Sequence, residues 1–387
     1  MNSLSIGAGP EQLHAIRTAK RMGLKVVAVD RDASAPGMAE ADEAHVLSTD
    51  RAPEIVELAR QSDIKLILPA PIGRFLTTVG YVNDQLGLKG VGEAAALNCV
   101  DKRKAHLCLR AADVPVADQV LVSNEVPALP FALPVIIKPR FGAGSRGVQV
   151  CRTAHALKLA RQAIDGDALI ETLIEGTEYG VDGAVFDGRA EVWLIRRKRV
   201  TAGDYRADMA YVTASDTGEG AIADSVGKAV RAVGIGDCLF HADVIVDANG
   251  VAHIIELSGR PSGMNISAKL LPLATGVDVV AAAVAHLSGA EAFPVAPQSF
   301  RPSALVYFPF DAGRVVSLGH FETAAQWAGV VELNCPLKVG DELQTPSGCA
   351  DFLKRGYALM TADTESGLMA LADRVCAHVA KEVRIDR

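Results

Sequence analysis

The apolar residues of this chain change period part-way along it, and that change limits the folds open to it. Over the first hundred residues, short apolar runs alternate with amphipathic stretches. A strand over residues 3–6 meets a Gly7-Ala8-Gly9-Pro10 turn, a helix follows over 11–22, and a strand over 25–29 ends at Asp30. A helix over 53–61 leads to a strand over 64–68, and Pro69-Ala70-Pro71 breaks the chain. This is the βαβ rhythm of an open parallel sheet. Further on, period-two runs joined by tight turns take over. One pair runs from Glu178 to about Arg199 and turns at Asp187-Gly188; another, 239–247 and 251–257, turns at Ala248-Asn249-Gly250. The fold class is therefore α/β followed by α+β. Single helices are expected over 95–113, 153–164, 222–233 and 368–381.

Length and charge narrow the function. A chain of 387 residues suggests two to four domains. A net charge of −7 argues against general nucleic-acid binding, which needs a basic face. Seven cysteines show no C-x-x-C pair and no zinc-type spacing, so they read as small reduced apolar side chains. No basic region followed by a long apolar run opens the chain, and the apolar window 277–285 is too short for a bilayer and carries Asp278. The expectation is a cytoplasmic protein without a membrane or nucleic-acid partner.

The chemistry begins at Val135-Ile136-Ile137-Lys138-Pro139-Arg140-Phe141-Gly142-Ala143-Gly144-Ser145-Arg146-Gly147-Val148. A buried strand ends in a lysine, and a loop of three glycines and a serine carries Arg146. Backbone N–H groups without a Cβ in the way approach an anion closely, and the cations beside them suit a triphosphate. The loop opens no helix and lacks a Gly-Lys-Ser/Thr ending, so it is no Walker-type loop. A plain glycine hairpin remains the other reading. The run Glu171-Thr172-Leu173-Ile174-Glu175-Gly176-Thr177-Glu178 exposes backbone groups in an apolar setting and then presents a carboxylate. It suits an adenine edge and a ribose, or an ordinary strand–turn–strand.

A third segment pairs two acids. The turn at 248–250 makes the runs around Asp243 and Glu256 antiparallel neighbours, and one register sets these carboxylates side by side on a single face. Adjacent acids on apolar strands repel unless a cation lies between them, and magnesium takes hard oxygen ligands. Two exposed acids on a hairpin is the alternative. The N-terminal G-x-G turn with an acid about twenty residues on invites a dinucleotide reading, but Gln12 stands where the third glycine belongs.

In this order, a helix entered by Asp101-Lys102, the Lys138 strand and glycine loop, the Glu171–Glu178 run, the Asp243 strand and Glu256-Leu257-Ser258-Gly259-Arg260-Pro261 resemble the ATP-grasp superfamily, specifically its carboxylate–amine ligases and the L-amino acid ligase branch. The resemblance implies an ATP-grasp fold: a pre-grasp α/β domain over 1–98, a small lid subdomain over 99–175, a larger antiparallel-sheet catalytic subdomain over 176–293, and a C-terminal α+β module over 294–387. It also implies that Lys102 and Lys138 hold ATP phosphates while Gly142, Gly144, Ser145, Arg146 and Gly147 cover them. Glu171, Leu173 and Ile174 then face adenine and Glu178 the ribose. Asp243, Glu256 and Ser258 bind magnesium, with two ions expected and manganese able to replace them. Ser258 stands where the family usually has asparagine. Arg260, with Lys138, stabilises the transferring phosphoryl group. The turn at 7–12 moves to the substrate side.

The implied reaction is ADP-forming amide synthesis through an acyl phosphate, with amino acids as the carboxylate and amine substrates and a homodimer as the expected assembly. Arg196, Arg199, Arg206, Ser262 and Asn265 are candidates for holding substrate. A biotin-carboxylase-like or purine-biosynthetic enzyme, or an ATP-binding module without catalysis, are the alternatives.

Overall fold

The computed structural model describes residues 1–200, 208–213, 219–290, 300–346 and 348–386. The first sheet is parallel, in the order Glu43–Val46, Lys25–Asp30, Asn2–Ile6, Ile64–Ile67. Leu4 lies beside Val27 on one side and Ile67 on the other, and all three are buried. Apolar runs of this kind suit a sheet covered on both faces. The strand Glu43–Val46 and the helix Leu76–Leu86 had no clear period to announce them.

The single helix expected over 95–113 is two, Glu93–Val100 and Lys102–Ala111. The break is Asp101, whose backbone leaves the helical region at φ −92° and ψ 100°. Its side chain accepts from the N–H groups of Arg103 and Lys104, satisfying donors that the new helix would leave bare.

A small antiparallel sheet follows in the order Gln119–Val122, Ala168–Thr172, Val135–Pro139, Gln149–Cys151, backed by helix Ala154–Gln162. The largest sheet has eight strands in the order Ala252–Ser258, Cys238–Asp247, Gly176–Phe186, Arg189–Val200, Asp208–Thr213, Ser303–Tyr307, Tyr357–Thr361, Val330–Asn334. Helix Glu219–Val233 packs Ile222 and Val226 against Val244 and Leu257 of one end. Helix Glu365–Glu382 packs Val375 and Val379 against Val306 and Met360 of the other.

One hydrogen-bonded ladder thus runs from the Asp243 hairpin into the C-terminal part. The division drawn at 293/294 falls outside the described residues, and the sheet carries straight on after it. No single helix among the described residues is long and apolar enough to cross a membrane.

Candidate active site

The small sheet and the large one face each other across a cleft of about 990 Å³. The glycine loop after Lys138 forms its roof, and the strands bearing Glu178, Asp243 and Glu256 form its floor. Lys102, Lys138, Gly142, Ser145, Arg146, Glu171, Ile174, Glu178, Asp243 and Glu256 all line it, so ten side chains from widely separated segments converge there.

The floor depends on an irregularity. The ladder pairs Val246 with Ala252, Ile245 with His253 and Val244 with Ile254, then jumps to Asp243 opposite Glu256. Ile255 is the extra residue of a β-bulge, and Ile254 sends its N–H to the Pro115 carbonyl instead, at 2.9 Å. A regular hairpin would set Asp243 against Ile255 and turn Glu256 into the core. With the bulge, both carboxylates point into the cleft while Ile254 and Leu257 stay in the core.

Asp243 already has a cation. Lys198 Nζ lies 2.9 Å from its Oδ1, on a lysine side chain only 6% exposed. Burial works to raise the Asp243 carboxyl, but Lys198, His241 and Arg196 outweigh it and hold the group below its usual range. Lys198, within a run of basic residues, was not singled out from sequence. Strand alternation was the signal available: Arg197 and Arg199 turn to the other face, where they meet Glu365 at 3.2 Å and Asp373 at 3.0 Å on the C-terminal helix.

The roof is tied down at its base. Arg140 donates to both oxygens of Asp101, at 2.9 and 2.6 Å, and to Asp167 at 3.0 Å. Lys102 Nζ donates to the Gly142 carbonyl at 2.5 Å. Burial and the neighbouring Lys138 lower the Lys102 ammonium pKa, which Glu256 only partly offsets. Lys138 pairs with Glu171 at 2.7 Å, and Gln119 donates to the other Glu171 oxygen at 2.7 Å. Glu171 is therefore engaged with the lysine while lining the cleft.

Several expected positions lie elsewhere. Gly144 and Gly147 shape the loop, with φ of +69° and +71°, without lining the cleft. Leu173 is half-buried outside the cleft, whose wall there comes from Thr172 and Ile174. Ser258 sits opposite His241 and does not line the cleft either. Arg260 is half-buried beside a neighbouring cavity, and burial lowers its pKa against the pull of Glu256 and Glu11. The His241 Nδ1 lies 3.2 Å from the Arg260 carbonyl. Burial and Arg260 press that ring down to about 4, so it is neutral and carries its proton on Nδ1.

The substrate candidates divide. Arg196 is locked inside the sheet, 2.8 Å from Asp182 and over the Tyr211 ring at 4.8 Å. A Cβ at Gly180 would fall 1.9 Å from its Nη1, so the strand needs glycine there. Ser262 donates to the same Asp182. Arg199 faces the C-terminal helix. Arg206 lies outside the described residues. Asn265 and Met264 both adopt left-handed backbone, with φ of 59° and 58°, in the loop after Arg260. Met264 is held from two sides: its N–H donates to Glu11 at 3.1 Å and its carbonyl accepts from Tyr307. The N-terminal turn thus docks on the loop beyond Arg260. Its own donors are used within the turn region, Ala8 N–H to Asp30 and Gly9 N–H to Gln12, which removes the dinucleotide reading.

A glycine-rich roof over paired carboxylates, with lysines from three segments, on two facing antiparallel sheets is the arrangement of an ATP-grasp domain. Residues 131–269 match the ATP-grasp domain family, and the chain carries that domain. Residues 306–384 match the L-amino acid ligase C-terminal domain 2.

The whole chain superposes on an L-amino acid ligase from Bacillus licheniformis with a TM-score of 0.84, at 18% identity and covering 100% and 99% of the two chains. It also superposes on a phosphoribosylglycinamide synthetase from Anaerococcus prevotii with a TM-score of 0.74, at 18% identity, covering 100% and 99%. At such identities the likeness is one of fold. Among curated proteins, a D-alanine–D-alanine ligase from Anaeromyxobacter dehalogenans is 31% identical over 207 residues, covering 49% of this chain and 65% of that one. The chain spans less than two thirds of the length of the curated relatives it matches.

Proposed function

We propose that this protein is an ADP-forming carboxylate–amine ligase that joins amino acids at the expense of magnesium ATP. The observation that carries the reading is the bulge-set pair Asp243 and Glu256 beneath the Lys138 loop, in a chain whose C-terminal part matches an L-amino acid ligase domain. The pair fits a magnesium ion. Two hard carboxylates stand opposite each other and line one cleft, and Asp243 already draws in an ammonium group. Asp243 and Glu256 would hold the ion, which neutralises phosphate charge when bound. With Ser258 outside the cleft, the remaining ligands fall to phosphates and water. That arrangement is usual for magnesium.

The chain's own residues then do the positioning. Lys138 and Lys102 meet the phosphates, and Ser145 and Arg146 cover them from the roof. Glu178 takes the ribose hydroxyls, and Ile174 packs on the adenine. The substrate carboxylate attacks the γ-phosphorus; its new O–P bond replaces the bond to ADP. The amine attacks the acyl carbon, and phosphate leaves with the C–O bond. In-line phosphoryl transfer of this kind rests on placement and charge compensation, which Lys138 and Arg260 supply. Arg260, half-buried near Glu256 and Glu11, acts from below.

Phosphate release with magnesium ATP across a panel of amino acids, with hydroxylamine to trap the acyl phosphate, tests the reading. ADP and an amide formed together, only when two amino acids are present, support it. Release that needs bicarbonate or a phosphoribosyl amine would move the assignment to a carboxylase or a purine-type enzyme. No nucleotide turnover with any acid would leave an ATP-binding module.

A further inference from the structure

The roof of the cleft is held from above as well as from its base, and the upper hold comes from the C-terminal part of the chain. The Cys349 N–H donates to the Gly144 carbonyl at 3.1 Å, and Cys349 Sγ lies 3.6 Å from the Ser145 hydroxyl. Gly348 fits under the loop so closely that a Cβ there would stand 2.8 Å from the Gly144 oxygen and 2.9 Å from Arg146 Cγ. Its backbone is fully extended, with φ −174° and ψ 172°, which alanine adopts without strain. Only the approach of the glycine loop therefore calls for glycine at this position.

The platform beneath is rigid. Cys349 and Phe352 are buried in the same core as Tyr211, Leu305 and Tyr307. Arg355, itself 2% exposed, donates to the Gln344 and Asp351 carbonyls and so closes the segment on itself.

We propose that Gly348 and Cys349 form the seat on which the glycine-rich loop closes over ATP. The C-terminal module is then a working part of the active site: Gly348 is a positioning residue acting through Gly144, Ser145 and Arg146. The proposal rests on the ligase reading for its chemical consequence. When the loop is seated, water is kept from the acyl phosphate. When it is unseated, water attacks that intermediate, returns the carboxylate and releases phosphate, so that ATP is hydrolysed to ADP and phosphate without an amide.

Gly348→Ala tests the seat. The variant should keep the wild-type melting temperature and raise the KM for ATP by roughly ten-fold, as a misplaced loop does. Its ratio of ADP to amide should climb from near one to several. A second readout needs no turnover. With magnesium and a non-hydrolysable ATP analogue, trypsin should cut after Arg146 slowly in the wild type and much faster in Gly348→Ala.

Should Gly348→Ala fold poorly, S145C provides the opposite test. Oxidised glutathione takes up two electrons and two protons as position 145 and Cys349 join in a disulfide, and dithiothreitol reverses it. The oxidised form should lose nucleotide exchange and recover it on reduction. Failure to form that disulfide, or unchanged KM, coupling ratio and Arg146 protection in a folded Gly348→Ala, overturns the seat. A wild type that makes no ADP with any acid overturns the ligase reading instead, and the proteolysis and disulfide results still decide the seat.

Discussion

Two ion pairs lie one step apart on the same face of the large sheet. Arg196 with Asp182 is sealed, its partners' side chains 2% and 4% exposed, and the guanidinium is also stacked on Tyr211 with Ser262 completing the carboxylate. Lys198 with Asp243 opens on the cleft, with the aspartate 31% exposed. Both bases stand on strand Arg189–Val200; Arg196 meets an acid on the adjacent strand Gly176–Phe186, whereas Lys198 reaches across that strand to Asp243 on Cys238–Asp247. Their difference is one of replaceability. A planar guanidinium in a fixed network cannot be exchanged for anything else of the same charge, whereas a flexible ammonium at a cleft can swing aside for a divalent ion. The first pair belongs to the sheet, and the second, on the ligase reading, offsets part of the charge of the metal site proposed at Asp243 and Glu256.

The largest effect should come from Glu256→Gln, which removes one of the two carboxylates facing the Lys198 side of the cleft. ADP formation should fall by at least ~10²-fold, a loss in the range of removing one preorganised electrostatic group, while the fold persists. Unchanged ADP production at saturating magnesium would detach Glu256 from the chemistry. Arg196→Leu comes next and is purely structural. Breaking a buried pair by taking one partner leaves Asp182 uncompensated, so unfolding free energy should drop by about 3–5 kcal/mol, equally with and without magnesium ATP. A normal melting temperature in this variant would mean that Arg196 is replaceable after all.

Lys198→Met should show the opposite dependence on metal. In the absence of magnesium the variant loses about 1 kcal/mol, because Asp243 is about a third exposed and water screens much of the deficit. Added magnesium should then raise its melting temperature by more than it raises that of the wild type. Equal shifts in both proteins would erase the distinction between the two pairs.

The smallest effect belongs to a third pair, Asp101 with Arg140, at the base of the roof. Burial tends to raise the Asp101 carboxyl, but hydrogen bonds from Arg140 and the Lys104 backbone hold it below its ordinary value. Its stabilisation is therefore present above the unfolded aspartate value near about 3.9 and disappears as pH falls through the lower folded value. Asp101→Asn should be less stable than wild type in urea at about pH 7, and the difference should shrink as the pH is lowered below the unfolded aspartate value of about 3.9.

The parts of the site that could be read in advance are those carried on continuous segments. Lys138 with its glycine loop, the Glu171–Glu178 run and the Glu256–Arg260 run each announce themselves within a dozen residues. What spacing alone did not reveal depends on geometry between segments. The Asp243–Glu256 pairing was legible as one register of the hairpin, but the bulge at Ile255 that produces it has no residue signature here. Lys198 is hidden in Arg196-Arg197-Lys198-Arg199, four bases whose faces differ although their letters look alike. Arg196 illustrates the reverse error. Charge suggested a ligand site, but Gly180 opposite it makes room for a buried guanidinium. The seat at Gly348 lies some two hundred residues from the loop it receives, and only folding brings them together.

The eight-stranded ladder has a further consequence for anyone handling pieces of this protein. Strand Asp208–Thr213 finds its outer hydrogen-bond partner in Ser303–Tyr307, beyond any division at 293. Ala304, Leu305 and Val306 are all buried. A fragment ending before them would expose a bare, apolar strand margin where the intact chain has sheet interior. Such margins recruit strands from other molecules. Expressed without its last eighty-odd residues, the ATP-binding half should therefore come out as precipitate, although every motif that defines it is present.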